Sequence, residues 1–202
     1  MEKSGEIVLA IGEPIKIPTS FGELNVSHLR MNLQEGILVT GQKPFAFPVP
    51  VRVQSSCLFS ESLHSIDCDC SAQLHASLKI IVSEGGIVIY LYEEGRGAGL
   101  ELKMKAIRAQ QEFGYHTAAA FGHLELESDL RDHAMAARVI IAVIGREREV
   151  SLLTNNPYKV KALEETGIKV AQSRPLIFQR NDIVSRYLDE KVHNLGHRLN
   201  HD

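Results

Sequence analysis

The chain has 202 residues, of which 44% are hydrophobic and 23% charged, a composition typical of a soluble globular protein. Its formal net charge of −3 provides no overall positive field that would favour nucleic acid or an anionic membrane. No apolar run is long enough to cross a bilayer, and the first residues lack the pattern of a signal peptide. With three cysteines and no export signal, we expect a cytoplasmic protein whose thiols are reduced.

The first quarter of the chain is rich in short strands. Alternating or continuous apolar runs bounded by turn residues predict strands at 6–12, 22–29, 36–41 and 49–55. Five prolines between residues 14 and 50 disfavour helices in this region.

After residue 70, helices and strands alternate. Apolar spacing predicts helices at 71–82, 99–113, 129–144, 159–166 and 182–195, and strands at 87–92, 150–156 (ending in a loop) and 168–173. Gly85 and Gly114 would end the first two helices, Ser128 or Asp129 would cap the third, and Pro157 suits the first turn of the fourth. The order of elements predicts an α/β fold in which helices pack on a mixed β-sheet, as one domain over residues 1–202.

All three cysteines lie in RVQSSCLFSESLHSIDCDCSAQL, residues 52–74. If Cys68 and Cys70 lay on an extended strand, their sulfur atoms would point the same way, and Cys57 could complete a site of three thiolates. Three protein ligands leave the fourth position of a tetrahedral zinc ion open, which is the catalytic pattern. The spacing alone equally allows free core thiols or a redox pair. His64 is a weak candidate for a fourth ligand.

The segment EEGRGAGL, residues 93–100, joins a predicted strand to a predicted helix. Its glycines would let backbone N–H groups approach a phosphate, and the helix N-terminus favours anions. Glu94 could accept two N–H donors from the edge of a guanine, and Arg96 could bind phosphate with two hydrogen bonds. The alternative is a tight turn with solvated charges.

Two later segments also combine charge with a helix start. In SDLRD, Asp129 could be a carboxylate base beside the phosphate-binding guanidinium of Arg131, or it could simply cap a helix. In TNNPYK, Thr154 and Lys159 could contact phosphate or belong to an ordinary capped loop.

Together these segments resemble the GTP cyclohydrolase II family over nearly the whole chain. The resemblance runs from IPTSFGEL (17–24) through RVxSxC, CDCSAQL, EEGRGAGL, FGYHT, LESDLRD, LLTNNPYK and GIKVAQSRPL to YLDEKVHNLGHRL. It implies a cytoplasmic, homodimeric zinc enzyme that uses Mg²⁺ with the triphosphate of GTP. Such an enzyme opens the guanine imidazole ring at C8 and releases pyrophosphate and formate. Its product is a ribosylamino-pyrimidinone 5'-phosphate, and the reaction is the first step of riboflavin biosynthesis.

The resemblance also assigns residues. The zinc ligands would be Cys57, Cys68 and Cys70, and Asp129 would be the proton acceptor. Arg131 matches an arginine proposed to attack the α-phosphate; a guanidinium is a poor nucleophile, so charge stabilisation is the role we favour. The residues that match the segments contacting GTP are Arg52, Val53, Ser55, Gln73, Glu94, Gly95, Arg96, Thr117, Thr154 and Lys159.

Three positions depart from the family pattern. Gln54 and Ser56 replace the His and Glu of RVHSEC, and Ile107 replaces the Tyr of NKxRAY. The metal and phosphate residues are thus present while the surroundings of the base differ. We expect either a product that keeps its formyl group, a GTP-binding protein without turnover, or an enzyme with a changed base preference.

Overall fold

The structure is a computed structural model that describes residues 8–125 and 131–176. Within these residues, eight strands form one sheet. The strands are β1 (Leu9–Ile11), β2 (Ile15–Thr19), β3 (Gly22–Met31), β4 (Gln34–Thr40), β5 (Val49–Ser55), β6 (Ile87–Leu91), β7 (Glu149–Leu153) and β8 (Lys169–Arg174). The helices are α1 (Leu58–Glu61), α2 (Cys70–Glu84), α3 (Leu100–Phe113), α4 (Thr117–His123), α5 (Ala134–Val143) and α6 (Pro157–Glu164), with a 3-10 turn at Glu94–Gly97.

The sheet has an antiparallel half and a parallel half. Its strand order is β1-β3-β4-β6-β5-β7-β8, with β2 paired to β3 beside β1. The pairs from β1 to β4 and the pair β4–β6 are antiparallel, whereas β6, β5, β7 and β8 run parallel. Parallel neighbours need a crossover, and helices provide it between β5 and β6, between β6 and β7 and between β7 and β8. The predicted mixed α/β fold with a strand-rich N-terminal part is confirmed.

Helices cover both faces of the sheet. On one face, alternate residues of the central strands, such as Val51 and Ile89, pack against α5 and α6 through Met135 and Leu163. On the other face, a smaller cluster that includes Val88 packs against α2. Strand β5 is buried on both faces, so its polar residues Arg52 and Gln54 lie inside the protein, toward α2.

Most of the predicted elements are present. Strand β5 has the predicted bounds, and α3 ends at Gly114, whose φ of 68° is the left-handed conformation that glycine adopts readily. The prediction missed β2, which contains Pro18; β2 is an edge strand, where a missing N–H is tolerated. It also missed α4, which His116 caps through its ring nitrogen.

Some predicted boundaries lie where the structure gives no description. The third predicted helix, expected to begin at residue 129, begins at Ala134 instead, because residues 131–133 are described and are not helical. The expected caps Ser128 and Asp129 lie outside the described ranges. The predicted helix at 182–195 is also outside them. In the described ranges, no helix has both the length and the apolar character needed to span a membrane.

Candidate metal centre and its surroundings

The residues with predicted functions follow the carboxyl ends of three parallel strands. Cys57 lies two residues after β5, the Glu94–Gly97 turn follows β6, and Thr154 follows β7. Because β5 pairs with both β6 and β7 in parallel, these ends lie at one edge of the sheet. In open α/β sheets, ligands bind at this edge.

The three cysteines converge at this edge. Cys57 is buried at the N-terminus of α1, Cys68 lies in the loop before α2, and Cys70 is the first residue of α2. Their sulfur atoms all lie within 4.8 Å of one another, and the Cys57 and Cys68 sulfurs are 3.7 Å apart. The expectation that Cys68 and Cys70 share an extended strand is wrong, because the chain turns into a helix at Cys70. The bend brings the sulfurs together instead.

The arrangement fits a metal ion held by thiolates. A tetrahedral ion with zinc–sulfur bonds of about 2.3 Å holds its sulfur ligands about 3.8 Å apart, close to the observed Cys57–Cys68 distance. None of the three cysteines forms a disulfide that would compete for the sulfurs. Among the described residues, the group that could hold a metal consists of these three cysteines. His64 is exposed and is not part of that group.

Lys103 of α3 contacts the cysteine group, and sequence reasoning did not include it among the site residues. Its Nζ lies 3.4 Å from the Cys57 sulfur, 2.6 Å from Glu94 Oε1 and 4.6 Å from the centre of the Phe59 ring. Burial by itself would lower the pKa of Lys103, but Glu94 and Cys57 outweigh it and raise that pKa. The lysine therefore places a positive charge beside the sulfurs.

The thiols also perturb one another. Hydrogen bonds from Cys68 and Cys70, together with the nearby Lys103, lower the pKa of Cys57. The hydrogen bond to Cys57 raises the pKa of Cys68, because that bond is made by the thiol form. The thiolate of Cys57 is therefore strongly favoured, whereas Cys68 would have to ionise beside the negative charge of that thiolate.

The turn after β6 connects the cysteines to the predicted base-binding residues. Glu94 Oε2 accepts a hydrogen bond of 2.8 Å from the backbone N–H of Leu58, next to Cys57. Gly95 and Arg96 both have φ near +60°, a conformation uncommon for arginine and often found at functional sites. The Arg96 guanidinium lies over the ring of Phe121 in α4, 5.6 Å from its centre.

Arg52 is buried, with 6% of its surface exposed, and is bonded within the protein. Its guanidinium donates to Gln54 Oε1 through two nitrogens, to Gln73 Oε1 at 2.6 Å and to the Leu153 carbonyl at 2.8 Å. Burial, together with a smaller contribution from the nearby charge of Arg131, lowers the pKa of Arg52 to about 10. These bonds join β5 to β7 and to α2.

The remaining predicted residues lie on the same edge or close to it. Lys159, also buried, donates from Nζ to the Val53 carbonyl at 3.0 Å. Thr154 is buried and accepts a hydrogen bond from the Asn156 N–H. The hydroxyl of Ser55 has no hydrogen-bond partner among the described residues.

The last two predicted residues are Thr117 and Asp129. Thr117 begins α4, which packs against α3. Asp129 lies outside the described residues, so its predicted role stays a prediction. The assignment of substrate contacts also stays a prediction for each residue named above.

The positions that depart from the family pattern lie around the site. Gln54 is 2% exposed and bonds to Arg52, and the Ser56 N–H donates to the Leu91 carbonyl. Ile107 is half-buried and lies four residues after Lys103 in α3. Residues four apart share one face of a helix, so Ile107 lies on the face that Lys103 presents to the cysteines.

The fold and the site define a class of protein: a mixed α/β sheet that brings three thiols, able to hold a metal ion, to the carboxyl edge of its parallel strands. The family can be named as well. The chain belongs to the GTP cyclohydrolase II family, whose model matches residues 12–175.

The relatives are of two lengths. The GTP cyclohydrolase-2 of Escherichia coli O9:H4 is 40% identical over 189 residues, which is 92% of this chain and 95% of that protein. The GTP cyclohydrolase-2 of Acinetobacter baumannii strain SDF is 37% identical over 196 residues, covering 93% and 94%. The riboflavin biosynthesis protein RibBA of Synechocystis is 38% identical over 190 residues, 91% of this chain. The chain spans only 34% of that longer protein.

Proposed function

We propose that this protein catalyses the metal-dependent hydrolysis of GTP, opening the guanine imidazole ring at C8 and releasing pyrophosphate. The observation that carries the proposal is the convergence of three thiols, none of them in a disulfide, within 4.8 Å at the carboxyl edge of the parallel strands. Membership of the GTP cyclohydrolase II family supports the choice of GTP as the substrate. The named GTP cyclohydrolase-2 relatives, which the chain matches over nearly their full length, support it too.

In this proposal, the residues at the carboxyl edge of the parallel strands have different roles. Cys57, Cys68 and Cys70 hold zinc, which when bound would act as a Lewis acid and activate water at neutral pH. Lys103 offsets the excess negative charge of three thiolates, since its Nζ is 3.4 Å from one sulfur. Glu94, fixed by Lys103 and by the Leu58 N–H, presents its carboxylate toward the guanine edge.

The basic residues of the same edge would bind the triphosphate. Arg131 lies near Arg52, and a guanidinium there would stabilise charge on the transferring phosphoryl group. Mg²⁺ would accompany the triphosphate and neutralise it. Homodimerisation, a cytoplasmic location and a single domain over the whole chain are part of the same proposal.

A second candidate product follows from Ile107. This side chain lies one turn beyond Lys103 on the site face of α3, and it carries no group that can donate or accept a proton. Loss of one positioned acid or base typically slows a step by about 10²–10⁴. If the missing hydroxyl serves removal of the formyl group, the reaction would end at the formylamino-pyrimidine 5'-phosphate.

The test is to incubate the zinc-loaded protein with GTP and Mg²⁺ and to measure pyrophosphate, formate and product mass. We expect pyrophosphate and a product that is heavier by one carbonyl group than the deformylated compound. The Ile107→Tyr variant should increase the formate formed per pyrophosphate. Arg108→Tyr, an exposed neighbour on α3, is the matched control and should not.

Each outcome separates the candidates. Stoichiometric formate from the natural protein would refute the formylated product while leaving GTP hydrolysis standing. If metal-loaded protein bound GTP without forming pyrophosphate, it would be a binding protein and the proposed enzyme would be wrong.

A further inference from the structure

A chain of hydrogen bonds lies beneath the three thiols, and its centre is the carboxylate of Glu61, the last residue of α1. Glu61 Oε2 accepts a hydrogen bond of 3.3 Å from the backbone N–H of Cys57 and another from the hydroxyl of Tyr90. Glu61 Oε1 accepts one of 2.9 Å from the amide of Gln54. Glu61 is a residue that neither the motifs nor the resemblance singled out.

The second member of the chain is Gln54, whose side chain is almost fully buried. Its amide nitrogen donates to Glu61 and, at 3.3 Å, to the backbone carbonyl of Cys70. Its amide oxygen accepts from two nitrogens of Arg52, at 2.9 and 2.6 Å. An amide has two N–H donors and one accepting oxygen, so all its capacity for donation is directed at Glu61 and Cys70.

We propose that Glu61 and Gln54 are positioning residues that hold the backbones of Cys57 and Cys70 and thereby set the spacing of the three thiols. The proposal rests on the metal site proposed above. Glu61 fixes Cys57 directly, and Gln54 fixes Cys70 while also bonding to Glu61. One short chain of hydrogen bonds therefore joins Cys57, two residues after β5, to Cys70, the first residue of α2.

Neighbouring residues hold this chain of hydrogen bonds in place. Arg52 orients the Gln54 amide, because its two nitrogens are donors and can pair only with the amide oxygen. Burial, followed by the hydrogen bond to Glu61, raises the pKa of Tyr90. Tyr90 therefore stays a hydroxyl donor throughout the physiological range. The direction of every hydrogen bond in the chain is thus determined by the chemistry of its members.

This directionality allows a sharp test by exchange of the two side chains. In Glu61→Gln, one of the two carboxylate oxygens becomes an amide nitrogen that faces another donor. In Gln54→Glu, a second carboxylate faces Glu61, and the donor to the Cys70 carbonyl is lost. In the double exchange, the amide at position 61 can donate to the carboxylate at position 54 and still accept from the Cys57 N–H. The link is restored in the reverse direction.

The measurement is the rate at which a chelator removes zinc, together with the absorption spectrum of the cobalt-substituted protein. Groups that orient metal ligands typically contribute about 10–100-fold to metal affinity. We expect each single variant to release zinc about 10–100-fold faster and to alter the thiolate-to-cobalt and ligand-field bands. The double exchange should restore most of the slow zinc release, except for the part that depends on the hydrogen bond from position 54 to the Cys70 carbonyl. Glu112→Gln, the same change at an exposed position of α3, should match the natural protein.

Thermal unfolding of the metal-free variants shows whether each is folded under the conditions of the assay. If Gln54→Glu does not fold, Glu61→Gln and Tyr90→Phe carry the test. Tyr90→Phe removes one hydrogen bond to Glu61 and should give a smaller change of the same kind.

Three results would overturn the inference. If Glu61→Gln kept the natural release rate and cobalt spectrum, Glu61 would not position the thiols. If the double exchange were no better than the singles, the effect would be one of general stability. If the natural protein bound neither zinc nor cobalt, the metal site itself would be wrong, and the inference would be overturned with it.

Discussion

Removal of the Arg52 side chain tests whether this arginine is a structural link. In Arg52→Ala, three buried acceptors lose their donor: Gln54 Oε1, Gln73 Oε1 and the Leu153 carbonyl. A buried polar group without a partner costs about 1–3 kcal/mol. Some of these groups would gain water in the space left behind, so we expect unfolding to become easier by about 3–5 kcal/mol. Arg52→Lys keeps the charge but gathers its donors on one atom, so it should cost about half as much.

The assay is urea denaturation of the metal-free protein at fixed concentration, followed by circular dichroism. An unchanged dependence of free energy on urea would show that the loss is one of stability rather than of compactness. Arg30→Ala, the same change at an exposed position of β3, is the control and should stay within about 0.5 kcal/mol. If Arg52→Ala cost less than about 1 kcal/mol, the four hydrogen bonds would not have the structural role described. A role in GTP binding alone would then be the better explanation.

Two further predictions concern stability. Arg174 donates two hydrogen bonds to Glu84 and lowers the pKa of that carboxyl, so the pair contributes above the unfolded glutamate value of about 4.3 and is lost as pH falls below it. Arg174→Ala should therefore cost about 0.2–1 kcal/mol at pH 7 and progressively less below about pH 4. Urea denaturation at pH 7 and below about pH 4 would show this difference. An equal cost under the two conditions would contradict the prediction. Gly85 has a φ of +79° and leaves 1.9 Å between an added Cβ and the Pro44 carbonyl oxygen. Gly85→Ala should lower the free energy of unfolding by about 2–4 kcal/mol. Gly114→Ala, at φ +68° in open space, should cost only about 1 kcal/mol, and equal losses would refute the clash.

Much of the fold could be predicted from the sequence, because its signals are local. The alternating valines of residues 49–53 predicted β5 with the bounds that the structure shows, and Gly114 marked the end of α3. The sequence did not predict β2, because its position in the sheet is not a local property. Pro18 is compatible with a strand only because β2 lies at the edge of the sheet, which the sequence does not reveal.

The candidate site was predicted in part. The spacing of the cysteines suggested a group of three thiols, and the structure brings their sulfurs together. The predicted route was wrong, because Cys70 begins a helix rather than continuing a strand. Lys103 and Glu61 were not predicted as site residues, since each reaches the cysteines from another element or another turn of the chain.

By itself, the sequence determined the α/β class, the order of most strands and helices and the identity of the three thiols. These properties depend on periodicity, turn residues and residue type, all of which can be read over short stretches. Tertiary structure alone decided which polar groups meet. Arg52 bonds to a carbonyl 101 residues away, and Lys103 lies against a sulfur 46 residues away. Such contacts arise from the packing of strands and helices on one sheet, and no local pattern records them.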